Sequence, residues 1–424
     1  MGNLDYTQVL NKIENTRRFG NEPGVVVTAQ VIKVLREKGK QKRIIPYIHV
    51  AGTNGKGSVC AFFSSILKKE HMRAGTFVSP HLVDFEERIT VDGRMIAKED
   101  VTRLGNYLLD IDFGIGLTMF DYCLAMALLY FEEQQCDYMV IETGLGGRLD
   151  STNAIGTPQC AVITKIGYDH MAILGSDIAD IAAEKAGIIK ENSTVVVEQQ
   201  DKRAMQVIEQ EAQKKHARII TVEQSDIARC SGYALRLCGT FQWENAAAAE
   251  LAARYVLGKR YGGPEYEMQY DKTEPKREET DLNKRIKSAL EEAVWPGRME
   301  IVSKEPFLLV DGAHNSNGVD ALKESLMQMY PGEKFCFFMG VMADKDYDVM
   351  IREILPLAEE FYTVTPDSDR ALQASHLADF IRKEGVEATE LSGVDEIRKH
   401  LKRDTKNVAF GSLYFIGELK QHRV

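Results

Sequence analysis

A glycine-rich loop between a short apolar stretch and a helix-like stretch constrains this chain most. The loop AGTNGKGS spans residues 51–58, follows YIHV at 47–50 and precedes VCAFFSS at 59–65. Glycines allow backbone N–H groups to approach phosphate oxygens closely, and the following helix directs its positive end toward them. Lys56 adds a charge, and Ser58 adds a hydroxyl that can bind Mg2+. The pattern predicts a phosphate site for a nucleotide on an α/β sheet.

The loop is a compact variant of the Walker A pattern. That pattern has a further glycine, separated by four residues from the Gly-Lys pair, where this chain has Val50. The alternative is an ordinary glycine-rich turn from strand to helix that binds nothing. It requires the lysine, the hydroxyl and the flanking elements to coincide by chance.

Composition limits the classes of partner. The chain has 424 residues, more than one ordinary core holds, so two domains are expected. Its net charge of −10, from 53 basic and 63 acidic residues, argues against nucleic acid or an anionic membrane as a partner. The seven cysteines form no Cys-x-x-Cys pair, and no apolar run reaches the roughly 20 residues that span a bilayer. We expect a reduced, cytoplasmic, monomeric protein without a structural zinc site.

Strand-like runs alternate with helix-like runs along most of the chain. In the N-terminal part, strands are predicted at 44–50, 137–142, 161–166 and 194–198. Their alternation with helices is typical of a mostly parallel sheet. The polar and charged stretch at 260–282 is interpreted as an exposed insertion.

The alternation resumes after WPGR at 295–298 and continues to the end of the chain. We therefore predict an α/β fold with two domains. A P-loop-type domain with a mostly parallel sheet occupies residues 1–296, and a smaller, Rossmann-like α/β domain occupies residues 297–424.

A second glycine-rich loop follows another predicted strand. DYMVIE, residues 137–142, ends in Glu142 and runs into TGLGGR, residues 143–148. Ligands of open parallel sheets collect at the carboxyl ends of the strands, so Glu142 is expected where a phosphate-bound Mg2+ needs an oxygen ligand. Arg148 and three glycines suit a loop folded against an anion. The alternative is a solvated acidic residue at a strand end.

The next predicted strand also ends in polar residues. AVITKI at 161–166 is followed by GYDH at 167–170. His170 is a candidate metal ligand or acid–base group, because the end of its strand is expected beside that of Glu142. The alternative is a histidine that only satisfies local hydrogen bonds.

Lys185 lies on the apolar face of a predicted helix. Ile178, Ile181 and Ile188 define that face, and Lys185 follows Ile181 by four residues. In one interpretation the aliphatic stem is buried and the ammonium group reaches water. In the other, the amine is desolvated, its pKa is lowered, and it is available for catalysis or for reaction with CO2 to give a carbamate. The sequence leaves both interpretations open.

Polar residues also follow predicted strands in the C-terminal part. FLLV at 307–310 precedes Asp311 and His314, and the last strand precedes Ser412. These positions predict that the three side chains share one edge of the second sheet, beside a cleft between the domains. Asn245, at the start of the helix predicted at 246–253, is either a ligand contact or a helix cap.

Eight motifs together resemble the folylpolyglutamate synthase/dihydrofolate synthase family of Mur-type amide ligases. Between residues 49 and 417 they are, in order, AGTNGKGS, SPHL with FEERI, ETGLGGRLDSTN, GYDH, EKAGIIK, WPGR, DGAHN and GSLY. The resemblance implies an ATP-dependent ligase that joins the carboxyl group of a folate, or of dihydropteroate, to the amino group of L-glutamate. ATP would convert the carboxylate into an acyl phosphate, and domain closure across residues 294–298 would exclude water.

The same resemblance implies roles for individual residues. The implied ATP contacts are Thr53, Asn54, Gly55, Lys56, Gly57, Ser58, Asn245, Arg298 and Asp311. The implied Mg2+ ligands are Ser58, Ser79, Glu142 and His170, and the implied catalytic residues are Lys56, Glu142, His170 and a carbamylated Lys185. Thr118, Phe120, Asp121 and Arg148 would lie toward the pterin, and His314 and Ser412 near the incoming glutamate.

Four features depart from the family pattern. Glu86 stands where the family often has asparagine or a basic residue, and the insertion at 260–282 is longer and more charged than expected. Phe241 precedes Gln242 where the family has histidine, and Asp121 stands where glutamate is usual. The alternative enzyme class is a P-loop kinase or NTPase that stops at phosphoryl transfer to another small carboxylate. The alternative without catalysis is a nucleotide-binding interaction module.

Overall fold

The computed structural model describes residues 3–17, 20–261 and 281–422. The chain divides into two compact units, each with its own sheet, and this confirms the predicted α/β class. The first unit comprises Met1–His81, Phe85–Leu235 and Glu244–Ala293, and the second comprises Leu82–Asp84, Arg236–Trp243 and Val294–Val424.

Within the described residues, the sheet of the first unit has eight strands. They are β1 (Tyr47–Ala51), β2 (Ala74–Phe77), β3 (Ile89–Val91), β4 (Arg94–Met95), β5 (Tyr138–Glu142), β6 (Cys160–Ile163), β7 (Thr194–Val197) and β8 (Arg218–Thr221). Their order is β4-β3-β2-β5-β1-β6-β7-β8, and only the β2–β3 and β3–β4 pairs are antiparallel. Because β1 lies between β5 and β6 and is parallel to both, the loops that follow these three strands meet at one edge of the sheet.

Helices cover this sheet. In chain order they are α1 (Tyr6–Glu14), α2 (Gly24–Glu37), α3 (Lys56–Lys69), α4 (Lys98–Leu109), α5 (Met119–Glu133), α6 (Met171–Leu174), α7 (Ile178–Ala186), α8 (Lys202–Lys214), α9 (Gln224–Ser231), α10 (Phe241–Tyr261) and α11 (Asp281–Glu292). Short 3-10 helices occupy Phe85–Arg88 and Ser151–Ala154. All five residues of β1 and of β5 are buried, which explains their nearly continuous apolar sequences.

In the part of the chain that the structure describes, the second unit has a six-stranded sheet. Its strands are β9 (Glu300–Lys304), β10 (Phe307–Val310), β11 (Phe335–Met339), β12 (Ala358–Thr363), β13 (Ala388–Glu390) and β14 (Lys406–Phe410), in the order β13-β12-β11-β14-β10-β9. Only β9 is antiparallel to its neighbour. The helices are α12 (Ser316–Met329), α13 (Tyr347–Ile354), α14 (Ala374–Lys383), α15 (Ile397–His400) and α16 (Leu413–Gln421), with 3-10 turns at Leu355–Leu357 and Val394–Glu396.

The structure corrects two boundaries. The alanine-rich helix α10 begins at Phe241, not near residue 246, and continues to Tyr261. Residues 262–280 of the predicted insertion lie outside the described residues, but its last two residues open α11, where Leu282 is buried. Among the described residues, no helix combines the length and the apolar composition that crossing a membrane requires.

Candidate functional site

The loop of residues 51–58 connects the central strand β1 to α3, and two of its glycines are required by its shape. Gly52 and Gly55 have φ angles of +156° and +90°, which disfavour residues with a side chain. A Cβ atom on Gly55 would lie 2.2 Å from Oδ1 of Asn245, and one on Gly52 would lie 1.8 Å from Oγ1 of Thr164. Neighbouring side chains therefore close tightly around the loop.

The segment after β6 holds the loop from outside. The backbone N–H groups of Thr53 and Asn54 donate to the carbonyl of Lys165, at 2.9 and 3.3 Å. Thr164 Oγ1 donates to the carbonyl of Asn54 at 2.6 Å, and the Thr53 hydroxyl bonds to the Gly167 carbonyl at 3.0 Å. The loop conformation is thus set by protein contacts before any phosphate binds.

Opposite charges meet beside the loop. The Lys56 ammonium lies 3.8 Å from Oε1 of Glu142, and it also donates to the carbonyl of Thr53 at 3.2 Å. Oε2 of Glu142 accepts a hydrogen bond from the backbone N–H of Ser79 at 3.2 Å. Glu142 is 5% exposed, so its interpretation as a solvated residue is wrong. The adjacency of β1 and β5 brings this carboxylate to the lysine, because Val50 and Glu142 are paired residues.

Lys185 is buried and reaches the same loop. Its residue is 4% exposed, and its ammonium donates to the Gly52 carbonyl at 2.8 Å. The interpretation in which this ammonium reaches water is therefore wrong. Burial, together with the nearby charge of Lys56, lowers the pKa of Lys185 from 10.5 to about 7. The amine is uncharged in a large fraction of molecules near neutral pH.

His170 lies at the end of the β6 loop and starts the short helix α6. Its backbone has a φ of +52°, and its backbone N–H donates to Oδ1 of Asp169 at 2.8 Å. Its ring Nε2 lies 3.9 Å from the same carboxylate oxygen. The ring is about one-third exposed, which leaves it accessible to a ligand.

Asn245 is not a helix cap. Because α10 begins at Phe241, Asn245 lies in its second turn, where the residue is 3% exposed and its side chain faces Gly55. The helix begins five residues earlier than predicted. Here the earlier start places an amide group against the left-handed glycine of the phosphate loop.

Residues 143–150, which we call the second loop, form a turn around Asp150. The Asp150 carboxylate accepts hydrogen bonds from the backbone N–H groups of Gly144 and Leu145, at 3.0 and 2.9 Å. Arg148 is exposed and pairs with Glu184, whose carbonyl accepts the Arg148 backbone N–H at 2.7 Å. The second loop is thereby fixed to α7, the helix that carries Lys185.

The predicted pterin residues lie beside the second loop. A Cβ atom on Gly144 would be 2.7 Å from the Phe120 ring, so the ring packs on this glycine. Thr118 and Asp121 form a capping box at the start of α5. Asp121 Oδ2 accepts from the Thr118 hydroxyl at 2.6 Å, and Oδ1 accepts from the Ser151 hydroxyl at 2.6 Å. The polar atoms of this pair serve the helix and the turn after the second loop.

In the second unit, polar residues follow two adjacent parallel strands, β10 and β14. Asp311 is buried and accepts hydrogen bonds from the backbone N–H groups of Met299 and Ala313, both at 2.8 Å. Burial raises its pKa, and the charge of Arg298 opposes that rise. His314 Nδ1 bonds to the Gly312 carbonyl at 2.7 Å, and Ser412 caps α16 by accepting from Phe415 N–H at 3.0 Å. These residues share one edge of the second sheet.

The oxygen donors of the first unit suit a hard cation. Ser58 is buried at the start of α3, and Glu142 supplies a carboxylate beside the loop, a donor set that Mg2+ prefers. Among the described residues, no three His, Cys, Asp or Glu side chains group as metal ligands. A cation held here would therefore depend on hydroxyl groups and on substrate oxygens as well.

The sequence interpretation missed several residues that shape the site. Asp150 and Thr152 stand in the quoted motif, but no role was given to either. The pattern Asp-x-Thr is a signal for a turn in which the carboxylate bonds to backbone N–H groups, and it predicts such a role. Lys165 and Glu184 act through their backbone carbonyls, which leave no signature in side-chain patterns.

Fold and site define a two-unit α/β protein with a phosphate loop in the first unit. Two family models match the chain: the Mur ligase middle domain over residues 50–235 and the Mur ligase glutamate ligase domain over residues 297–410. The chain is 32% identical to the dihydrofolate synthase/folylpolyglutamate synthase of Bacillus subtilis, covering 98% of both. It therefore belongs to the folylpolyglutamate synthase/dihydrofolate synthase family.

Further matches are consistent with this family. The chain is 29% identical to the folylpolyglutamate synthase of Lacticaseibacillus casei, with 87% of each covered. Its structure matches a Mycobacterium tuberculosis folylpolyglutamate synthase complexed with ADP and AMPPCP, with a TM-score of 0.82, 25% identity and 99% coverage of both chains. It also matches Escherichia coli FolC in complex with DHPP and ADP, with a TM-score of 0.80, 26% identity and coverage of 99% of this chain and 97% of that one.

Proposed function

We propose that this protein uses ATP to join L-glutamate to the carboxyl group of a folate, with dihydropteroate as a second acceptor. The observation that carries the proposal is the buried Lys185 amine, 2.8 Å from the carbonyl of Gly52 in the phosphate loop, whose Lys56 lies 3.8 Å from Glu142. Phosphate binding alone does not need a second, desolvated lysine against that loop. Membership in a family of folate ligases supplies the substrate class.

The reaction proceeds through an acyl phosphate. A carboxylate oxygen of the acceptor attacks the γ-phosphorus of ATP, and ADP leaves. The amine of L-glutamate, having lost its proton, then attacks the carbonyl carbon, and phosphate departs with one of the original carboxylate oxygens. Phosphoryl transfer needs positioning and charge neutralisation, which Lys56 and the N–H groups of residues 55–58 would provide.

Ser58, Ser79, Glu142 and His170 are the proposed ligands of Mg2+. When bound, the metal supplies charge neutralisation at the phosphates. If His170 is not a ligand, its partly exposed ring is the candidate base for the glutamate ammonium. The two roles exclude each other, because a metal-bound imidazole nitrogen has no free lone pair.

Lys185 is proposed to carry a carbamate. Its neutral amine attacks the carbon of CO2 and releases one proton, so a buried cation becomes an anion able to hold a metal ion. The pKa of about 7 supports this step, because only the neutral amine has a lone pair for the attack. The proximity to Lys56, which lowers the Lys185 pKa, would in turn stabilise the anion.

The remaining residues are assigned to the nucleotide, the pterin and the incoming glutamate. Asn245, Arg298 and Asp311 would contact the nucleotide, and Thr118, Phe120, Asp121 and Arg148 would border the pterin. His314 and Ser412 would meet the incoming glutamate. We propose residues 1–296 as the ATP-binding domain and 297–424 as the glutamate ligase domain of a cytoplasmic monomer.

ADP release tests the function. The purified protein receives ATP, Mg2+ and a reduced folate, with or without L-glutamate, and Lys56→Met serves as the inactive control. A ligase releases ADP continuously only when L-glutamate is present, because the acyl phosphate otherwise accumulates. Equal continuous release with and without L-glutamate would instead identify an NTPase.

A further inference from the structure

His49 is a buried titratable residue that the proposed reaction does not use. It lies in the central strand β1 and is 0% exposed. Its Nε2 is 2.7 Å from the Thr152 hydroxyl, and its Nδ1 has no hydrogen-bond partner. A buried polar atom without a partner costs stability, so a histidine here requires a compensating role.

The Thr152 hydroxyl extends the contact to Asp150. Its Oγ1 donates to Oδ1 of Asp150, and the Thr152 backbone N–H donates to the same oxygen at 3.0 Å. Oδ2 of Asp150 accepts the N–H groups of Gly144 and Leu145. We call His49, Thr152 and Asp150 the hydrogen-bond chain. It connects the phosphate-loop strand to the turn of the second loop.

The donor and the acceptor of each hydrogen bond in the hydrogen-bond chain are determined. Asp150 accepts four hydrogen bonds, which an ionised carboxylate does best, although burial raises its pKa. The Thr152 hydroxyl therefore donates to Asp150 and accepts from His49. His49 must be neutral with its proton on Nε2, and burial with the nearby Lys190 ammonium lowers its pKa to about 3.

The hydrogen-bond chain acts on the second loop and not on Glu142. Glu142 is paired with Val50 in the β1–β5 ladder, and the N–H of Thr143 donates to the Val50 carbonyl at 2.9 Å. Only from Gly144 onward does the loop depend on Asp150. Gly144 is also the residue on which the Phe120 ring packs.

We propose that His49 and Thr152 are positioning residues for the folate acceptor, holding the second loop in register with β1 through Asp150. The inference rests on the proposed function. Because the phosphate loop has its own contacts to the β6 segment, the hydrogen-bond chain governs acceptor binding and leaves nucleotide binding unchanged.

Three variants test the positioning role in the complete protein. Thr152→Val removes the hydroxyl with little change in shape, Thr152→Ser keeps it, and Thr76→Val removes another buried hydroxyl of the same sheet, which bonds to Ser64 at 2.7 Å. We expect Thr152→Val to raise the KM for the folate acceptor roughly tenfold while the KM for ATP stays within about twofold. Thr152→Ser should restore the wild-type KM, and Thr76→Val should change neither constant.

Unchanged acceptor KM in Thr152→Val, or equal increases in the KM for acceptor and for ATP, would overturn the proposal.

Nitrogen NMR of histidine-labelled wild-type protein supplies a test that needs no variant to fold. We expect one non-titrating imidazole with the proton on Nε2, and a proton on Nδ1 of that ring would contradict the hydrogen-bond chain. Wild-type protein without ligase activity would contradict the proposed function, and the imidazole signals would still decide the arrangement of His49.

Discussion

Replacing Lys185 by methionine should stabilise the protein while abolishing its activity. Methionine keeps an unbranched apolar chain in the buried site but removes the amine. The wild-type amine is held at 4% exposure against the Gly52 carbonyl, where its charged form loses hydration. A residue retained at a cost in stability is characteristic of a functional site, because function and stability compete there.

The free-energy cost of burying the Lys185 ammonium follows from its lowered pKa. A fall from 10.5 to about 7 corresponds to roughly 5 kcal/mol against the ammonium form, and most of this acts at neutral pH. Losing the hydrogen bond to Gly52 offsets about 1–2 kcal/mol. We therefore expect Lys185→Met to raise the free energy of unfolding by on the order of 2–4 kcal/mol near pH 7.

The sign of the pH dependence is also fixed. Below about pH 7 the amine is charged in both the folded and the unfolded state, so the penalty is fully present. Between about pH 7 and 10.5 the folded amine is neutral while the unfolded amine is still charged, so the unfolded state binds more protons and wild-type stability rises with pH. The methionine variant lacks this rise, and its advantage should shrink toward alkaline pH.

Urea unfolding in CO2-depleted buffer at neutral and at alkaline pH measures the effect, and an ADP-release assay measures activity. Lys202→Met, at an exposed position at the start of α8, is the control and should change neither quantity. A destabilised Lys185→Met, or an advantage that does not depend on pH, would refute the account of a desolvated amine. Full activity in this variant would remove Lys185 from the reaction.

Three further substitutions test the two loops and the Glu142 carboxylate beside them. Gly55 has a φ of +90°, and a Cβ atom there would lie 2.2 Å from Asn245 Oδ1, so Gly55→Ala should raise the KM for ATP at least about tenfold. Equal KM values in the variant and the wild type would show that the loop tolerates a side chain. Gly144→Ala, whose Cβ would lie 2.7 Å from the Phe120 ring, should weaken folate binding in calorimetric titrations, and a second change, Phe120→Leu, which replaces the ring by a smaller aliphatic side chain, should partly restore it. Unchanged affinity would separate this glycine from the acceptor site. Glu142→Gln should raise the Mg2+ concentration for half-maximal activity by at least about tenfold, and an unaltered Mg2+ titration would remove Glu142 from the metal site.

Much of the first sheet was predictable from the sequence. The strands around YIHVA and YMVIE are buried on both faces, so their apolar runs leave little ambiguity. The loops after these strands converge because parallel strands end at one edge, which predicts the proximity of Lys56 and Glu142.

Other features depend on contacts that sequence patterns do not contain. The carbonyl that fixes Lys185 belongs to Gly52, 133 residues earlier in the chain, so helix periodicity alone left two interpretations open. The true start of α10 was missed because Phe241–Asn245 carries bulky and polar residues ahead of the alanines. His49 was missed because a single histidine in a buried strand has no signature until Thr152 lies opposite it.

The central claim is that the phosphate loop serves to activate a carboxylate for attack by glutamate. Its most direct test uses a folate acceptor whose terminal carboxyl oxygens carry a heavy-oxygen label, incubated with ATP, Mg2+ and L-glutamate, with mass spectrometry of both products. We expect a folate longer by one glutamate and inorganic phosphate that contains one labelled oxygen per amide bond formed. Amide formation with unlabelled phosphate, or labelled phosphate formed at the same rate without L-glutamate, would contradict this account.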